Sequence, residues 1–470
     1  MREKPRFRTG RFWRTNGSRQ SIKRIPTIGW RDRIGVLLAL RGDLAGFLQR
    51  LHWKYGDIVR VRILGKSIIV LNHPDYFEHV LVRNHRNYDK KTYLYKVVEP
   101  AFGNGIIGYV GGKEWLRQRR LIQPSFHRSQ VAALLPRMTG PIAETMRRWR
   151  GSTTPGEIIN IADEVRQLSL NVVFATLFGG EAEAKGISIR DLFVEAHQIL
   201  SNFFRRPFPP LSWPTPTGNR LREIIGTMDR YIDQLVRDRL HSGKHGDDLL
   251  SILIDELHHN AEMEGDRELL GQEVQNIMIG GYETVSTTMQ WLLYLVATHP
   301  EVQERLQHEV DDQLSGSVPA YADLTRLTYT RMVVEETLRY YPPAWHMMRR
   351  AVAEDDIAGY RVPAHSEIYV NIFLLHHHPG IWPSPDIFDP DRFSAEQVAR
   401  RPRNAYVPFG SGPRKCVGDY FAVTELTLFL GMVAQAYRLV PPRGHGRVQV
   451  DQLLTLRPKG GVPLSLERRT

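Results

Sequence analysis

From Asp75 to Tyr341 apolar residues recur at helical spacing in one segment after another: "VRQLSLNVVFATLFG", "LREIIGTMDRYIDQLVRDRL", "EVQNIMIGGYETVSTTMQWLLYLVATHP" and "RMVVEETLRYYPP". A 3.6-residue period puts such positions on one helix face, and faces of that kind are satisfied only against one another. Pro300 and Pro342 stop two of these helices. The one strong strand signal, "GDIVRVRILGKSIIVLNHP", reads as two β-branched runs joined at Leu64-Gly65-Lys66, a hairpin. "RRPFPPLSWPTPTGN" is a loop between long helices. Beyond Tyr341 the chain becomes loop-rich with short strands until a final helix beginning near Gly418. No internal repeat and no clean linker interrupts this. The expectation is a mainly α fold with a small β-sheet region, as a single domain over residues 25–470.

Composition narrows the function classes. The chain has 470 residues, a single cysteine and a formal net charge of +12. One cysteine excludes an intramolecular disulfide and points to a reducing, cytoplasmic setting. The charge is concentrated: residues 1–24 hold Arg2, Lys4, Arg6, Arg8, Arg11, Arg14, Arg19, Lys23 and Arg24 against Glu3 alone. The rest of the chain has no surplus that calls for nucleic acid. This arm reads as a solvated tail, with contact to anionic lipid as the alternative. The longest greasy stretches, "IGVLLAL" and "LTLFLGMVAQAY", fall short of the roughly 18 residues that span a bilayer, so a soluble protein is expected.

Two motif-like signals lose their force in context. "GNGIIG", Gly103 to Gly108, has the spacing of a dinucleotide loop but follows a helical segment, and no acidic residue stands about 20 positions on. His376, His377 and His378 are adjacent, so they cannot converge on one ion without partners.

The chemistry centres on "FGSGPRKCVG", Phe409 to Gly418, which holds the lone cysteine. A lone cysteine is commonly a small buried hydrophobe. Here Arg414 and Lys415 would favour a thiolate, and the glycines admit something large close to the backbone. Nucleophile, redox thiol and metal ligand are the open roles, and an iron ligand fits best. Gly412 and Gly418 would let the loop lie on a flat cofactor, Phe409 would shield the sulfur, and Arg414 would neutralise an acidic group. Haem, with two propionates, is such a cofactor.

The stretch resembles the F-x-x-G-x-R-x-C-x-G signature of the cytochrome P-450 monooxygenases at every fixed position, and further motifs of that family follow in order. The resemblance implies the fold of that family, haem b, and Cys416 as its axial thiolate, a ligand known in this family to favour O–O cleavage. "GGYET" resembles the oxygen-activation motif, which implies that Glu283 and Thr284 deliver protons, Glu283 as a relay from solvent and Gly280 within a widened turn; a glycine kink with a back-bonding threonine is the plainer alternative. "EETLR" and "FDPDRF" imply a buried Glu336–Arg339–Arg392 network behind the Cys416 loop. "WLRQRR" implies that Trp115 and Arg119 bind a propionate, joined by Arg414 and by Arg349, with Arg350 its rival.

By the same analogy the substrate pocket draws on Tyr95 to Ile107, on the helix face of Asn276, Ile277 and Gly280, on the segment Ala344 to Met347, and on Leu453 to Thr455. This apolar and aromatic lining implies a lipophilic substrate, terpenoid first, fatty acid or polyketide next. The sequence contains no flavin or iron–sulfur segment, so electrons are expected from a separate ferredoxin or flavodoxin, docked on Arg117, Arg120, Arg401, Arg403 and Lys415. Competing functions are a peroxide-driven peroxygenase, a haem isomerase or dehydratase, and a non-catalytic haem-binding protein. Glu283 and Thr284 favour oxygen activation over the first two.

Overall fold

The computed structural model describes residues 23–469 apart from 40–41, 64–65, 104, 109–110, 153–155, 180–188, 206–208, 210, 243–245, 260–266, 315 and 445. Most of the basic arm and the Leu64-Gly65 turn therefore lie outside the described residues.

Helices form where the periodicity places them, including Ile161–Phe178, Pro216–Ser242, Arg267–Thr298 and Thr328–Tyr340. The 32-residue helix Arg267–Thr298 packs against Ile161–Phe178, Pro216–Ser242, Thr328–Tyr340 and Asp419–Ala436. Its second half is buried on nearly every side: Met289, Trp291, Leu292 and Leu293 are wholly buried, and the buried polar Ser286, Thr288 and Gln290 donate back to carbonyls of the same helix. Thr298 ends it, and Pro300 opens the next helix, where a missing N–H costs nothing. The C-terminal helix Asp419–Ala436 packs against Arg128–Ser152, Pro300–Leu314 and Thr328–Tyr340.

The hairpin pairs as expected, with Val59 opposite Val70 and Val61 opposite Ile68. The sequence did not show what it joins. Strand Lys66–Leu71 runs parallel to Glu367–Asn371, and the five-stranded sheet continues through His346–Ala351 to the short Tyr88–Asp89. Parallel neighbours need a crossover, and here almost the whole helical span is that crossover. The sheet thus brings the N-terminal segment against the stretch after Tyr341. A three-stranded sheet ties Ile158–Asn160 and Tyr437–Val440 to Pro463–Arg468.

Candidate functional site

The loop Phe409–Gly418 closes on itself: the Cys416 amide donates to the Phe409 carbonyl at 3.0 Å and the Lys415 amide to Gly412 at 3.1 Å. Gly412 has φ +72°, and a Cβ there would lie 1.9 Å from the Leu81 carbonyl oxygen. Its glycine is therefore demanded by the protein's own backbone rather than by a cofactor. Gly418 is different. Its φ of −93° is ordinary, and a Cβ would meet only the Phe126 ring at 3.6 Å, so nothing in the polypeptide requires glycine. Cys416 sits deep in the protein yet remains exposed, so its side chain borders a void inside the molecule. Burial pushes its thiol up, and this outweighs the lowering effects of the Gly418 amide, Arg119 and Lys415. The expectation that basic neighbours favour the thiolate is thus corrected for the chain by itself: desolvation of the charged form wins.

Two residues of the helix Lys113–Ile122 grip this loop. The Arg414 guanidinium lies over the Trp115 ring, 4.5 Å from its centroid, and Arg119 Nη1 donates to the Lys415 carbonyl at 2.6 Å. Arg349 and Arg350, adjacent on one strand, face opposite sides of the sheet. Arg350 forms a forked pair with Asp89 at 2.7 and 3.1 Å, whereas Arg349 is buried and donates to the Met348 carbonyl. Beside Arg349 and Arg414 stands Lys90, buried, its Nζ donating to the Ile107 carbonyl at 2.8 Å and lying 4.9 Å from the Tyr95 ring centre. Burial, then Arg349 and Arg414, push the Lys90 ammonium well below its ordinary range. Burial and Arg349 push Arg414 down to about 10. Among the described residues no carboxylate forms an ion pair with Lys90 or Arg349. Three basic side chains crowded together, Lys90 and Arg349 buried and Arg414 partly so, fit a dianionic group, and a void bordered by a cysteine thiol fits haem. Lys90 was missed: in "DKKTY" nothing distinguishes it from the exposed Lys91.

In the helix Arg267–Thr298, Ile277, Gly280, Gly281 and Thr284 stay partly exposed along one face. No widened turn occurs. Thr284 Oγ1 donates to the Gly280 carbonyl at 2.7 Å inside a continuous helix, the plainer of the two expectations. Glu283 points elsewhere and is buried. It accepts from Thr455 Oγ1 at 2.8 Å, faces His197 Nε2 at 3.1 Å, and has Arg457 at 3.9 Å. Burial alone would raise its carboxyl, but His197, Thr455 and Arg457 together hold it below the usual range. A relay directly from solvent is thus replaced by an internal network. His197, on the helix Ile189–Arg205, carried no signal in the sequence.

Of the expected pocket residues, Ala344 is exposed and Leu454 partly so. Trp345 is buried, and its indole donates to the Leu453 carbonyl at 3.1 Å, so it braces the pocket segment rather than lining open space. Asn276 is likewise a clasp: its side chain accepts from the Ile107 amide and donates to the Phe102 carbonyl, both at 3.0 Å. One turn away, buried Glu273 accepts from the Ile106 amide at 3.1 Å, and burial pushes its carboxyl up to about 8. Together they pin the Phe102–Ile107 stretch, so "GNGIIG" belongs to a helix-bound loop.

Glu336 and Arg339 are both fully buried, joined at 2.6 and 2.8 Å, with Arg392 Nε 3.5 Å from Glu336. Arg339 also donates to the His376 and Ile387 carbonyls, and Glu336 accepts from the Asp389 amide. His376 Nε2 in turn accepts from the Val407 amide, two residues before Phe409. The histidine triplet therefore diverges. His378 Nε2 instead meets Asp57 at 3.0 Å, with His52 Nδ1 at 3.0 Å on the same carboxylate. Among the described residues this is the one group of three potential metal ligands. The Gly380 amide donates to His378 Nδ1, which leaves the proton on Nε2 and makes the cluster a hydrogen-bonded latch. On the expected partner-docking face, Arg401 is corrected: its guanidinium lies over Phe393, Trp382 and Tyr406 and donates to the Arg392 carbonyl.

A family model described as cytochrome P-450 matches residues 26–464. The chain is 34% identical over 398 residues to cyclooctat-9-en-7-ol 5-monooxygenase of Streptomyces melanosporofaciens, covering 83% of this chain and 84% of that one. It is 32% identical to pentalenene oxygenase of Streptomyces avermitilis, covering 82% and 84%. In fold it is similar to a crystal structure of the haem domain of cytochrome P-450DA, with TM-score 0.86 and 24% identity, over 96% of this chain and 99% of that one.

Proposed function

The chain belongs to the cytochrome P-450 family, which makes it a haem-binding monooxygenase, and on that premise we propose that Cys416 would hold haem b through its thiolate and that the substrate is a terpenoid. Two observations support the assignment: the cysteine lies deep in the protein and still borders open space, and the basic side chains of Lys90, Arg349 and Arg414 crowd together elsewhere in the fold.

Haem, when bound, supplies the activation of dioxygen; the chain supplies position, charge and protons. Lys90, Arg349 and Arg414 would hold the propionates. Trp115 and Arg119 fix the loop that presents Cys416, Phe409 covers the sulfur, and Gly418 leaves room for the ring. Thr284 puts a hydroxyl on the void side of the helix. Glu283, one residue earlier, keeps an ionised carboxylate that receives a proton on the side of His197 and Thr455. Glu336, Arg339 and Arg392 hold the backbone beneath the loop. Ile277, Gly280, Ala344 and Leu454 line the substrate space.

The terpenoid reading is supported by the two Streptomyces relatives, whose names are those of terpenoid oxygenases. The electron donor is a ferredoxin or flavodoxin that docks on Arg117, Arg120, Arg403 and Lys415, and residues 25–470 act as one haem domain in the cytoplasm. Reduction by such a donor slows steeply as salt rises; indifference to salt removes the docking face.

The deciding experiment is the reduced, carbon-monoxide-treated spectrum. The wild type shows the red-displaced Soret band of a thiolate ligand, and Cys416→Ser abolishes it. A wild type without that band overturns the assignment. A terpenoid library screened for the high-spin optical shift then tests the substrate class, and response only to fatty acids refutes it.

A further inference from the structure

Three buried polar atoms on one face of the five-stranded sheet have no hydrogen-bond partner among the described residues: His346 Nδ1, Tyr369 Oη and Asn371 Nδ2. Such atoms are uncommon in a folded protein, and each calls for a reason. His346 and Asn371 stand directly opposite each other where His346–Ala351 pairs with Glu367–Asn371, and Tyr369, two residues back along the second strand, shares their face. The His346 and Tyr369 rings stack at 4.9 Å, 11° from parallel. Asn371 Oδ1 accepts from the Leu374 amide at 3.0 Å, which fixes its amide plane. The apolar side chains clustered with Tyr369, among them Phe47, Leu48 and Met348, offer its hydroxyl no acceptor.

This face borders the proposed substrate space. His346 lies deep in the protein and still keeps exposed surface, as Cys416 does, so it too adjoins a void inside the molecule. Met347, on the opposite face, ends 3.3 Å from where a Cβ on Gly410 would lie, against the cysteine loop, so His346 looks away from that loop. Exposed Ala344 stands two residues before His346, and Trp345 between them bonds to Leu453, beside the partly exposed Leu454. Leu94, on the helix Tyr93–Phe102, packs against the same apolar cluster as Tyr369.

Burial pushes the His346 imidazolium down to about 4 and the Tyr369 phenol well above its ordinary range, so both stay uncharged at neutral pH. A neutral imidazole offers one acceptor and one donor, while the phenol and the carboxamide donate; together they suit a group that both gives and takes a hydrogen bond. A hydroxyl does so. A carboxylate is poorly served, because among the described residues the one cation on this face of the two strands, Arg350, is forked onto Asp89, and Glu367 on the same face is itself an acid.

Resting on the terpenoid reading, we propose that His346, Tyr369 and Asn371 form a polar subsite that grips a neutral oxygen already present on the substrate. The enzyme thus acts on an oxygenated terpenoid, an alcohol above all, rather than on a bare hydrocarbon or an acid.

The test titrates the full-chain holoprotein with matched terpenoids, cedrane against cedrol, p-menthane against menthol and farnesoic acid against farnesol, and reads dissociation constants from the high-spin optical shift. In each pair the alcohol binds about tenfold tighter or more. Tyr369→Phe and His346→Phe keep the rings and remove the polar atoms. Each cuts the alcohol's advantage by about fivefold, and neither lowers the melting temperature of the substrate-free protein, because neither breaks a bond within the fold. Hydrocarbon or acid bound as tightly as alcohol, or an advantage that both variants leave intact, overturns the subsite and leaves the terpenoid reading in place. No response to any of these terpenoids overturns that reading, and the subsite with it. Variants that both melt lower than wild type show that the polar atoms have partners inside the protein, which overturns the subsite whatever the titrations give.

Discussion

Replacing Glu336 by alanine removes the counter-charge of an arginine that has no access to water. In the wild type Arg339 has two bonds to the Glu336 carboxylate, at 2.6 and 2.8 Å, and two to carbonyls. In the variant only the His376 and Ile387 carbonyls remain, and the Asp389 amide loses its acceptor. Stranding one member of such a pair costs about 3–5 kcal/mol. At roughly 2 cal/mol/K per residue, a chain of this length loses about 1 °C of melting temperature per kcal/mol, so the midpoint falls by about 3–5 °C. The damage also travels. Arg339 holds the His376 carbonyl, and His376 holds the Val407 amide at the entrance to the Cys416 loop. Haem retention therefore falls with stability, and in the extreme the protein fails to fold. The assay is thermal unfolding of purified protein alongside haem content per chain. The double variant Glu336→Met with Arg339→Met separates charge from packing: it removes both ions and is far less destabilised than the sum of the single changes. Soluble, fully haem-loaded Glu336→Ala melting within about 1 °C of wild type refutes the reasoning, as does a double variant whose loss equals that sum.

Other consequences follow from the same physics. Glu273 ionises near 8 in the fold and near 4.5 when unfolded, so the stability it lends is complete below about pH 4.5 and is lost as pH rises through about 8. Glu273→Gln keeps an uncharged acceptor for the Ile106 amide and melts higher than wild type at pH 9 but not at pH 5; an equal difference at both refutes the assignment. Gly412→Ala forces a methyl group onto the Leu81 carbonyl and yields little folded protein, whereas Gly418→Ala keeps the unfolding midpoint of the apoprotein while binding haem more weakly. Equal haem affinity in Gly418→Ala and wild type, read by titrating apoprotein, removes the glycine from the haem face. Lys90→Met relieves repulsion in the apoprotein, which melts no lower than wild type, yet the holoprotein releases haem to apomyoglobin faster. Unchanged release shows that Lys90 does not hold the propionates.

The sequence by itself determined the helical character and the hairpin, because periodicity and β-branched runs are local properties that survive without knowing the fold. It also marked the cysteine loop and the Glu336–Arg339–Arg392 set, because their residue types recur at fixed spacing in a family. What it left open is whatever depends on the side of the chain a residue faces after folding. Arg349 and Arg350 are neighbours that the pleat sends to opposite faces, one buried near Lys90 and Arg414 and one paired with Asp89. Lys90 differs from Lys91 only in that sense. Glu283 looked solvent-linked until His197 and Thr455, drawn from distant segments, enclosed it. Arg401 looked like a docking cation and lies instead on three aromatic rings. The state of Cys416 shows the reason most plainly. Neighbouring charges in the sequence argued for a thiolate, but in the chain without a bound ligand the cost of desolvating an ion is set by everything packed around it, and only the tertiary structure decides that.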